Sequence, residues 1–448
     1  MALDYLTFKL ADSVKKSSRM DPELFKKHGV KRGLRNEDGT GVLVGLTNIG
    51  NVVGHKKEKD GTVSPVPGKL YYRGYDVEDI VAACQKENRF GFEEVVYLLL
   101  SGSLPDPEEL EEFRELLVSN MSLPHTSTMS IISRRGQNIM NVLARAVLEL
   151  YVDDPNADDL TRQNSMVQSV SLIARFPTII AYAYNTLAHT QWGKPLHIRL
   201  PYEELSIAEN FLYMLRRDYT DLDAKILDTL LMLQAEHGGG NNSTFTVRVT
   251  SSTRTDIYSS IAAGIGSLKG PLHGGANIKV CDMFTHLKEQ VSDWKDVDEI
   301  DTYLTRILNK EAYDQVGLIY GMGHGVYTIS DPRVTPLRGM ARELAKEKNR
   351  EDELDFLNLI EERATKTISE MKGLPNRVPC NVDFYSGFIY DMIGLPVEIY
   401  TPLFAMARVA GWTAHRIEEL NFTGQRIIRP AYRNVVEGVR EYQPLAER

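Results

Sequence analysis

Cysteine is scarce in this chain, and its spacing excludes functions that depend on paired thiols. Three cysteines occur among 448 residues, namely Cys84, Cys281 and Cys380. Since no two of them form a CxxC pair, the sequence predicts neither a disulfide framework nor a zinc ribbon. We expect three buried structural thiols, in a protein of the reducing cytoplasm.

Long apolar segments and an excess of positive charge are also lacking. No uninterrupted apolar run reaches about 18 residues, so no membrane span is predicted. Residues 1–16 lack the basic segment followed by an apolar segment that is typical of a secretory signal. The formal net charge is −9. Because nucleic-acid binders usually carry a basic excess or stripe, this charge argues against that class. If the substrates are anions, local arginines must overcome an acidic background.

The pattern that is present indicates a mainly α protein. A chain of 448 residues predicts two or three domains, and no internal repeat of about 20–50 residues is apparent. Residues 1–40 are interpreted as a charged, partly helical start. Alternating apolar residues and frequent glycines predict a small antiparallel β patch between residues 41 and 75. Helical spacing prevails after Asp76.

The density of charged residues along the helical part indicates how it is divided into domains. Residues 1–275 are predicted to form a large helical domain that carries the β patch. Residues 276–380 keep helical periodicity among many charges, and predict a smaller helical domain. The segment 381–448 contains a long apolar helix over residues 399–417 and is expected to return to the large domain. We expect the active site between the two helical domains.

Local signals predict individual helix ends. The helix over residues 92–100 should end at Gly102, and Asp106 followed by Pro107 predicts an N-cap with proline in the first turn. Another helix is expected to bend or end near Pro177. The buried stripe of the helix after Pro107 is predicted to be Leu110, Phe113, Leu116 and Leu117.

Three segments of the C-terminal half carry residues suited to proton transfer. His273 lies in Pro-Leu-His-Gly-Gly, His324 lies in Gly-Met-Gly-His-Gly, and Asp383 lies in the largely apolar Asn-Val-Asp-Phe-Tyr. Glycine lets the backbone approach a ligand closely, and histidine with a carboxylate is the usual acid–base pair near neutral pH. A poorly hydrated carboxylate is a stronger base. Two structural alternatives stay open: His273 as a loop histidine that only bonds backbone, and Asp383 as the cap of a helix starting near Tyr385.

Further residues are suited to hold an anion. His237 follows a long helix and precedes three glycines, where either a charged imidazole at the helix C-terminus or a simple capping role is expected. Arg333 suits two-pronged recognition of a carboxylate, unless it pairs with a surface acid. Arg408 lies in an apolar helix and requires an anionic partner from protein or ligand. Arg429 precedes Pro430 near the C-terminus, where an ordinary surface role is the alternative.

In their order and in their amino-acid residues these segments resemble the citrate synthase family, which includes si-type citrate synthase and 2-methylcitrate synthase. The resemblance implies a mainly α fold of two helical domains and condensation of acetyl-CoA with oxaloacetate, followed by hydrolysis of citryl-CoA to citrate and CoA. It also implies no metal or other cofactor, a cytoplasmic homodimer, and domain closure that excludes water. The segments that carry it are residues 68–75, 92–105, 236–244, 268–277, 321–333, 381–387 and 405–408.

The resemblance also implies individual roles. Asp383 matches the base that removes a methyl proton from acetyl-CoA, His273 matches the group that stabilises the enol, and His324 matches the group that polarises the oxaloacetate ketone. A neutral imidazole suits the enol stabiliser, since its acidity lies closer to that of an enol. The residues that match groups holding oxaloacetate are His237, Arg333, Arg408 and Arg429, the last being supplied by the neighbouring subunit.

One departure and several alternatives remain. Relatives often carry a basic residue between the second histidine and Asp-Pro-Arg, whereas residues 326–330 are uncharged here. We hypothesise that Lys269 or an N-terminal basic residue contacts the CoA phosphates instead. The nearest alternative function is that of a 2-methylcitrate synthase using propionyl-CoA. A metal-dependent hydrolase lacks close-spaced ligand pairs in the sequence, and a non-catalytic helical scaffold has no use for glycine-flanked histidines.

Overall fold

The fold is mainly helical, as the periodicity predicts. The computed structural model describes residues 2–37, 39–59, 62–134, 136–374, 377–436 and 438–447. In these residues 18 α-helices and few strands occur, and 58% of the structure is helical. Two compact units are distinguished: a terminal unit of Met1–Gly45 with Ile428–Arg448, and a main unit of Leu46–Ile427.

The terminal unit contains little regular structure besides α1 (Ala2–Ser17) and α2 (Glu23–Lys27). These helices agree with the predicted charged, partly helical start. Many apolar side chains of this unit are exposed to solvent in the single chain. They include Tyr5, Leu6, Phe8, Leu10, Val14, Tyr432, Val439, Tyr442 and Leu445.

The main unit holds the remaining helices around one apolar core. Its helices are α3 (Val77–Lys86), α4 (Phe92–Ser101), α5 (Pro107–Ser119), α6 (His125–Ser133), α7 (Ile139–Glu149), α8 (Arg162–Trp192), α9 (Ile207–Leu215), α10 (Asp221–Gln234), α11 (Asn242–Ser251), α12 (Ile257–Lys269), α13 (Ala276–Gln290), α14 (Val297–Leu308), α15 (Val334–Lys348), α16 (Glu351–Lys372), α17 (Val382–Ile393) and α18 (Tyr400–Leu420). The long apolar helix expected over residues 399–417 is α18, which contacts α8, α10, α11 and α12.

The predicted β patch is an antiparallel sheet. Strand β1 (Gly50–Lys57) pairs with β2 (Val63–Tyr72), from Gly50 opposite Tyr72 to Lys57 opposite Val63, and β2 pairs with the short β3 (Tyr75–Asp76). The first strand begins later than the alternation from residue 42 predicts. Val44 and Leu46 are exposed, so their alternation does not reflect a buried strand face.

Helix ends follow local chemistry closely. Gly102 adopts a left-handed conformation after α4, and Asp106 caps α5 in a capping box with Glu109, with Pro107 in the first turn. The predicted stripe of α5 is only partly correct, because Leu117 is buried whereas Leu116 is 47% exposed. Capping depends on a few adjacent residues, whereas burial depends on which helix packs alongside.

The longest helix runs through its proline. α8 continues from Arg162 to Trp192 with Pro177 inside it, so of the two expected outcomes, a bend or an end near Pro177, the end is wrong. By length and composition α8 alone among the described helices is long and apolar enough to cross a membrane, but 78% of its apolar window is buried inside the protein. Burial of this kind is typical of a core helix.

The charged helices after residue 276 pack against one another. α14 contacts α16, while α13 and α15 contact α17, and Gly373 ends α16 in a left-handed conformation. The predicted boundaries at residues 276 and 380 lie within the main unit and stay a prediction.

All three cysteines are free thiols. Cys84 and Cys380 are buried, but Cys281 is only partly buried, so the expectation of three buried thiols holds for two. Burial raises the pKa of Cys84 and of Cys281 to about 12. These two thiols are therefore protonated near neutral pH and are poor nucleophiles.

Candidate active site

Two of the three predicted segments lie side by side. Asn381 donates from its backbone N–H to the Gly321 carbonyl oxygen at 2.8 Å, and from its side-chain amide to the Gly323 carbonyl oxygen at 2.8 Å. Gly321 and Gly323 have φ angles of 79° and 84°, which residues with a Cβ rarely adopt. This pairing places the loop of His324 next to the first turn of α17.

His324 has a defined proton arrangement. Its Nδ1 accepts hydrogen bonds from the backbone N–H groups of Val326 at 3.0 Å and Tyr327 at 3.1 Å. Because a backbone N–H only donates, Nδ1 carries no proton, and the ring proton is assigned to Nε2. His324 is therefore a neutral imidazole whose Nε2–H is a hydrogen-bond donor.

Asp383 occupies the second position of α17. The helix is capped by Asn381, whose side chain accepts the Asp383 N–H at 3.0 Å, so the alternative of Asp383 as the helix cap is wrong. No described residue donates a hydrogen bond to its carboxylate. Burial raises the pKa of Asp383 to about 6, although Arg333 and Arg408 oppose the rise. The group is therefore ionised at neutral pH, and is a stronger base than an exposed aspartate.

Arg333 is held by the aspartate two residues before it. Arg333 donates to both carboxylate oxygens of Asp331, at 2.9 and 2.7 Å, and both side chains are buried. The predicted alternative, a surface acid, is therefore wrong. Asp331 also accepts the Val382 N–H at 3.2 Å, which fixes the guanidinium relative to the start of α17.

His273 lies in a tight turn after α12. A Cβ on Gly274 would lie 2.3 Å from the Leu268 carbonyl oxygen, so the turn requires glycine there. The His273 Nε2 accepts the Ser243 N–H at 3.3 Å, which assigns the ring proton to Nδ1. Burial, assisted by Arg408, lowers the pKa of His273 to about 4. This histidine does bond backbone, as the alternative held, and the bond also sets its tautomer.

His237 is neutral, contrary to one expectation from its place after a helix. Its ring centroid lies 5.0 Å from that of His324. Burial lowers the pKa of His237 well below its usual value, and the charge of Arg333 lowers it further. These effects outweigh the helix C-terminus, which would favour a cation. Its Nε2 is buried and has no hydrogen-bond partner among the described residues.

Arg408 presents two unpartnered nitrogens. It is fully buried in α18, and its Nε donates to the Gln234 carbonyl oxygen at 2.8 Å. Neither Nη1 nor Nη2 has a partner within the part of the chain that the structure describes. Burial lowers the pKa of Arg408 to about 10, so the side chain still carries a positive charge at neutral pH. An anion is the partner that such a group requires.

A buried chain of hydrogen bonds supports the segment that carries His237. Arg248 donates to Nδ1 of His415 at 2.8 Å, and Nε2 of His415 lies 2.9 Å from Glu236. Because a guanidinium only donates, Nδ1 accepts and Nε2–H donates to Glu236. A Cβ on Gly411 would lie 2.3 Å from Glu236 Oε2. Arg248 is itself anchored by Glu418 at 2.8 Å.

Arg408 connects the predicted site residues electrostatically. Its charge affects the pKa of His237, His273 and Asp383. The structure therefore brings together His237, His273, His324, Arg333, Asp383 and Arg408. Arg429 belongs to the terminal unit, and its role stays a prediction.

Sequence reasoning missed other residues of the cluster. In the sequence Tyr327 is only part of the uncharged run 326–330, yet its ring stacks on that of His324 with centroids 4.5 Å apart. Glu236 and Asp331 appeared only as neighbours of other residues. A buried acid directly before a histidine, or two residues before an arginine, is a usable signal for such partners. Nothing local in the sequence indicates the contact of Ser243 with His273.

Comparison with known proteins gives one consistent result. The family model described as citrate synthase, C-terminal domain, matches residues 37–431. A citrate synthase of Haloferax volcanii is 34% identical over 425 residues, covering 94% of this chain and 99% of that protein. The 2-methylcitrate synthase 1 of Corynebacterium glutamicum is 34% identical over 433 residues, covering 94% of this chain and 98% of that protein.

A solved structure is similar over nearly the whole chain. It is a ternary complex of the citrate synthase of Thermoplasma acidophilum with carboxymethyl coenzyme A and oxaloacetate. Its TM-score is 0.76 at 29% identity, and the match covers 94% of this chain and 99% of that one.

Proposed function

Because the chain belongs to the citrate synthase family, we propose that it condenses acetyl-CoA with oxaloacetate and releases citrate and CoA. The observation that carries this proposal is the pairing of the Gly321–Gly323 segment with Asn381. That pairing sets a carboxylate of raised basicity beside a neutral imidazole donor. Such a base can deprotonate a weak carbon acid, and such a donor suits the carbonyl that the resulting enol attacks.

Asp383 is proposed as the base. It removes a proton from the acetyl methyl group, while the Nδ1–H of His273 donates a hydrogen bond to the thioester oxygen, where negative charge develops. The absence of hydrogen-bond donors to the Asp383 carboxylate among the described residues, and its pKa of about 6, support this assignment. The neutral state of His273 supports its role as the donor.

His324 is proposed to activate the second substrate. Its Nε2–H donates to the ketone oxygen of oxaloacetate, which gains negative charge when the enol carbon attacks and the new C–C bond forms. The alkoxide takes up one proton, which balances the proton that Asp383 removed from the methyl group and later releases. Water then breaks the C–S bond of citryl-CoA, with its OH going to the acyl carbon and its H to the CoA thiolate. The assignment rests on the two backbone N–H groups that fix the His324 tautomer.

Oxaloacetate carries two carboxylates, and the site offers two buried arginines. Arg408 has two nitrogens without a partner among the described residues, and Arg333 is oriented by Asp331. His237 supplies a further unpartnered nitrogen. We assign these three residues to oxaloacetate binding, since fixed guanidinium groups suit planar carboxylates.

Substrate entry requires motion of the chain. His237, Arg333 and Arg408 are all buried, and they come from both sides of the predicted boundary at residue 276. We propose that residues 276–380 move away from the rest of the main unit to admit substrates and close again to exclude water.

A 2-methylcitrate synthase activity is the second candidate. A relative with that name is as similar to this chain, at 34% identity, as the citrate synthase of Haloferax volcanii. The substrates differ by one methylene, which an apolar pocket distinguishes by only about 1–3 kcal/mol. Both acyl-CoAs therefore need to be tested.

We further propose that the protein is a homodimer in which Arg429 reaches the oxaloacetate site of the partner. The exposed apolar side chains of the terminal unit support an interface, since single chains rarely leave so many uncovered. Light scattering should give about twice the chain mass of 50.6 kDa. A monomer that retains full activity would refute this part of the proposal.

The central test is a thiol-release assay with oxaloacetate and either acetyl-CoA or propionyl-CoA. Wild-type protein should release CoA, and Asp383→Ala should lose at least about 100-fold in kcat, as is usual when a general base is removed. The ratio of kcat/KM for the two acyl-CoAs decides between the candidates. No release of thiol with either acyl-CoA would refute the function, and activity lost on dialysis against EDTA would revive a metal-dependent reaction.

A further inference from the structure

Tyr327 lies at the centre of the candidate site, although no role was assigned to it from the sequence. Its ring is stacked on His324 with centroids 4.5 Å apart and meets the edge of His237 at 5.5 Å. The guanidinium carbon of Arg333 lies 5.8 Å from the ring centroid. The side chain is 1% exposed, so its phenol faces protein groups on every side.

The Tyr327 hydroxyl differs from other buried tyrosine hydroxyls. Tyr72 donates to the Met232 carbonyl oxygen at 3.0 Å, and Tyr182 donates to the Arg199 carbonyl oxygen at 2.9 Å. The Tyr327 hydroxyl has no hydrogen-bond partner among the residues that the structure describes. A buried polar atom without a partner destabilises a protein, and each instance requires an explanation.

The position of Tyr327 is fixed by the β1–β2 hairpin. A Cβ on Gly54 would lie 2.2 Å from the Val326 carbonyl oxygen, and a Cβ on Gly68 would lie 2.7 Å from Cδ1 of Tyr327. Thr328 donates to the Gly54 carbonyl oxygen at 2.9 Å. The hairpin thus packs directly against this loop, so the ring has little freedom to turn toward another partner.

The surroundings of the hydroxyl favour an anion. Burial raises the pKa of Tyr327 and Asp331 raises it further, although Arg333 and Arg408 oppose the rise. The hydroxyl therefore remains protonated and available as a donor. Among the described residues of the site, other buried atoms without a partner are Nη1 and Nη2 of Arg408, Nε2 of His237 and the acceptor Oε2 of Glu236. Because Asp331 already pairs with Arg333, the unpartnered Arg408 nitrogens and the Tyr327 hydroxyl are the donors that suit a carboxylate.

We propose that the Tyr327 hydroxyl donates a hydrogen bond to a carboxylate of oxaloacetate, and so contributes to recognition of the 2-oxo dicarboxylate. This inference rests on the proposed function and adds a substrate-binding residue to it. It also explains why the hydroxyl is kept in a position where no described residue accepts its hydrogen bond.

Tyr327→Phe tests the proposal because it removes one oxygen and keeps the stacked ring. We expect the KM and the calorimetric Kd for oxaloacetate to rise about 10- to 100-fold, as when a hydrogen bond to a charged group is lost. The KM for acetyl-CoA and kcat should change little, because the lost contact serves binding. The melting temperature without ligand should stay the same or increase, since an unpartnered polar atom is removed.

Tyr182→Phe is the matched control, since it removes a partnered hydroxyl from a helix that carries no site residue. It should lower the melting temperature and leave the oxaloacetate KM unchanged. If wild-type protein is active and Tyr327→Phe binds oxaloacetate as tightly as wild type, the inference fails and the proposed function stands. If the ligand-free melting temperature of Tyr327→Phe falls as much as that of Tyr182→Phe, the Tyr327 hydroxyl has a partner within the protein, and the inference is also overturned. An inactive wild-type protein would instead refute the proposed function.

Discussion

Asp383→Asn should stabilise the resting protein while abolishing its activity. The rise of the Asp383 pKa from 3.8 to about 6 means that the fold disfavours the ionised carboxylate. At about 1.4 kcal/mol for each pKa unit, the ionised form destabilises the folded protein by about 3 kcal/mol. Asparagine has nearly the same shape and does not ionise, so it avoids this effect.

The predicted stabilisation depends on pH in a definite direction. Below about pH 4 the carboxyl group is protonated in both the folded and the unfolded chain, so the variant and the wild type should be equally stable. As the pH rises toward 6, the unfolded chain ionises while the folded protein retains its proton, and the wild type loses stability. Above about pH 6 the variant should be more stable by about 3 kcal/mol.

Urea unfolding at pH 4, 5, 6, 7 and 8, followed by tryptophan fluorescence, measures this difference. Asp391→Asn is the matched control because it lies on the same helix but is exposed and pairs with Arg350. That control should stay within about 0.5 kcal/mol of wild type. A stability difference that does not vary with pH, or an Asp383→Asn protein less stable than wild type at pH 8, would refute the reasoning.

Other predictions test the remaining parts of the site. The kcat/KM for acetyl-CoA should fall about tenfold for each pH unit below about 6, because protonated Asp383 accepts no proton; a profile flat to pH 5 would contradict this assignment. Glu236→Gln should raise the oxaloacetate KM severalfold through the displaced His237 segment, without changing the acetyl-CoA KM, whereas an equal effect on both would indicate general unfolding. Lys269→Ala should raise the acetyl-CoA KM alone, if this exposed lysine contacts the CoA phosphates, and an unchanged KM would exclude it.

The sequence predicts those features that depend on adjacent residues. Asp106 with Pro107 specifies a helix start, and Gly102 and Gly373 specify helix ends, because caps need only a few neighbouring groups. The glycine-flanked position of His324 is also visible in the sequence. Its loop geometry depends on glycines with positive φ, which are recognised one residue at a time.

Features that depend on distant partners escape such reasoning. Leu116 fits a helical stripe but is exposed, since no neighbouring helix covers it. Pro177 lies inside a continuous helix, where packing of α8 outweighs the local tendency of proline. Glu236 and His415 are 179 residues apart and form one buried contact, so their pairing has no local signal. Of the two expectations for His237, the charged imidazole is wrong for the same reason, because its burial is tertiary.

The unfavourable features of the molecule are concentrated where the reaction is proposed. Asp383 has a raised pKa, Arg408 has two unpartnered nitrogens, and the Tyr327 hydroxyl has no partner among the described residues. The last two depart from the rule that buried polar groups are satisfied by the fold. A bound dicarboxylate would pair with Arg408 and the Tyr327 hydroxyl, and a proton taken from a carbon acid would neutralise Asp383. The resting protein is therefore less stable at this site because the site is arranged for the reacting state rather than for the protein alone.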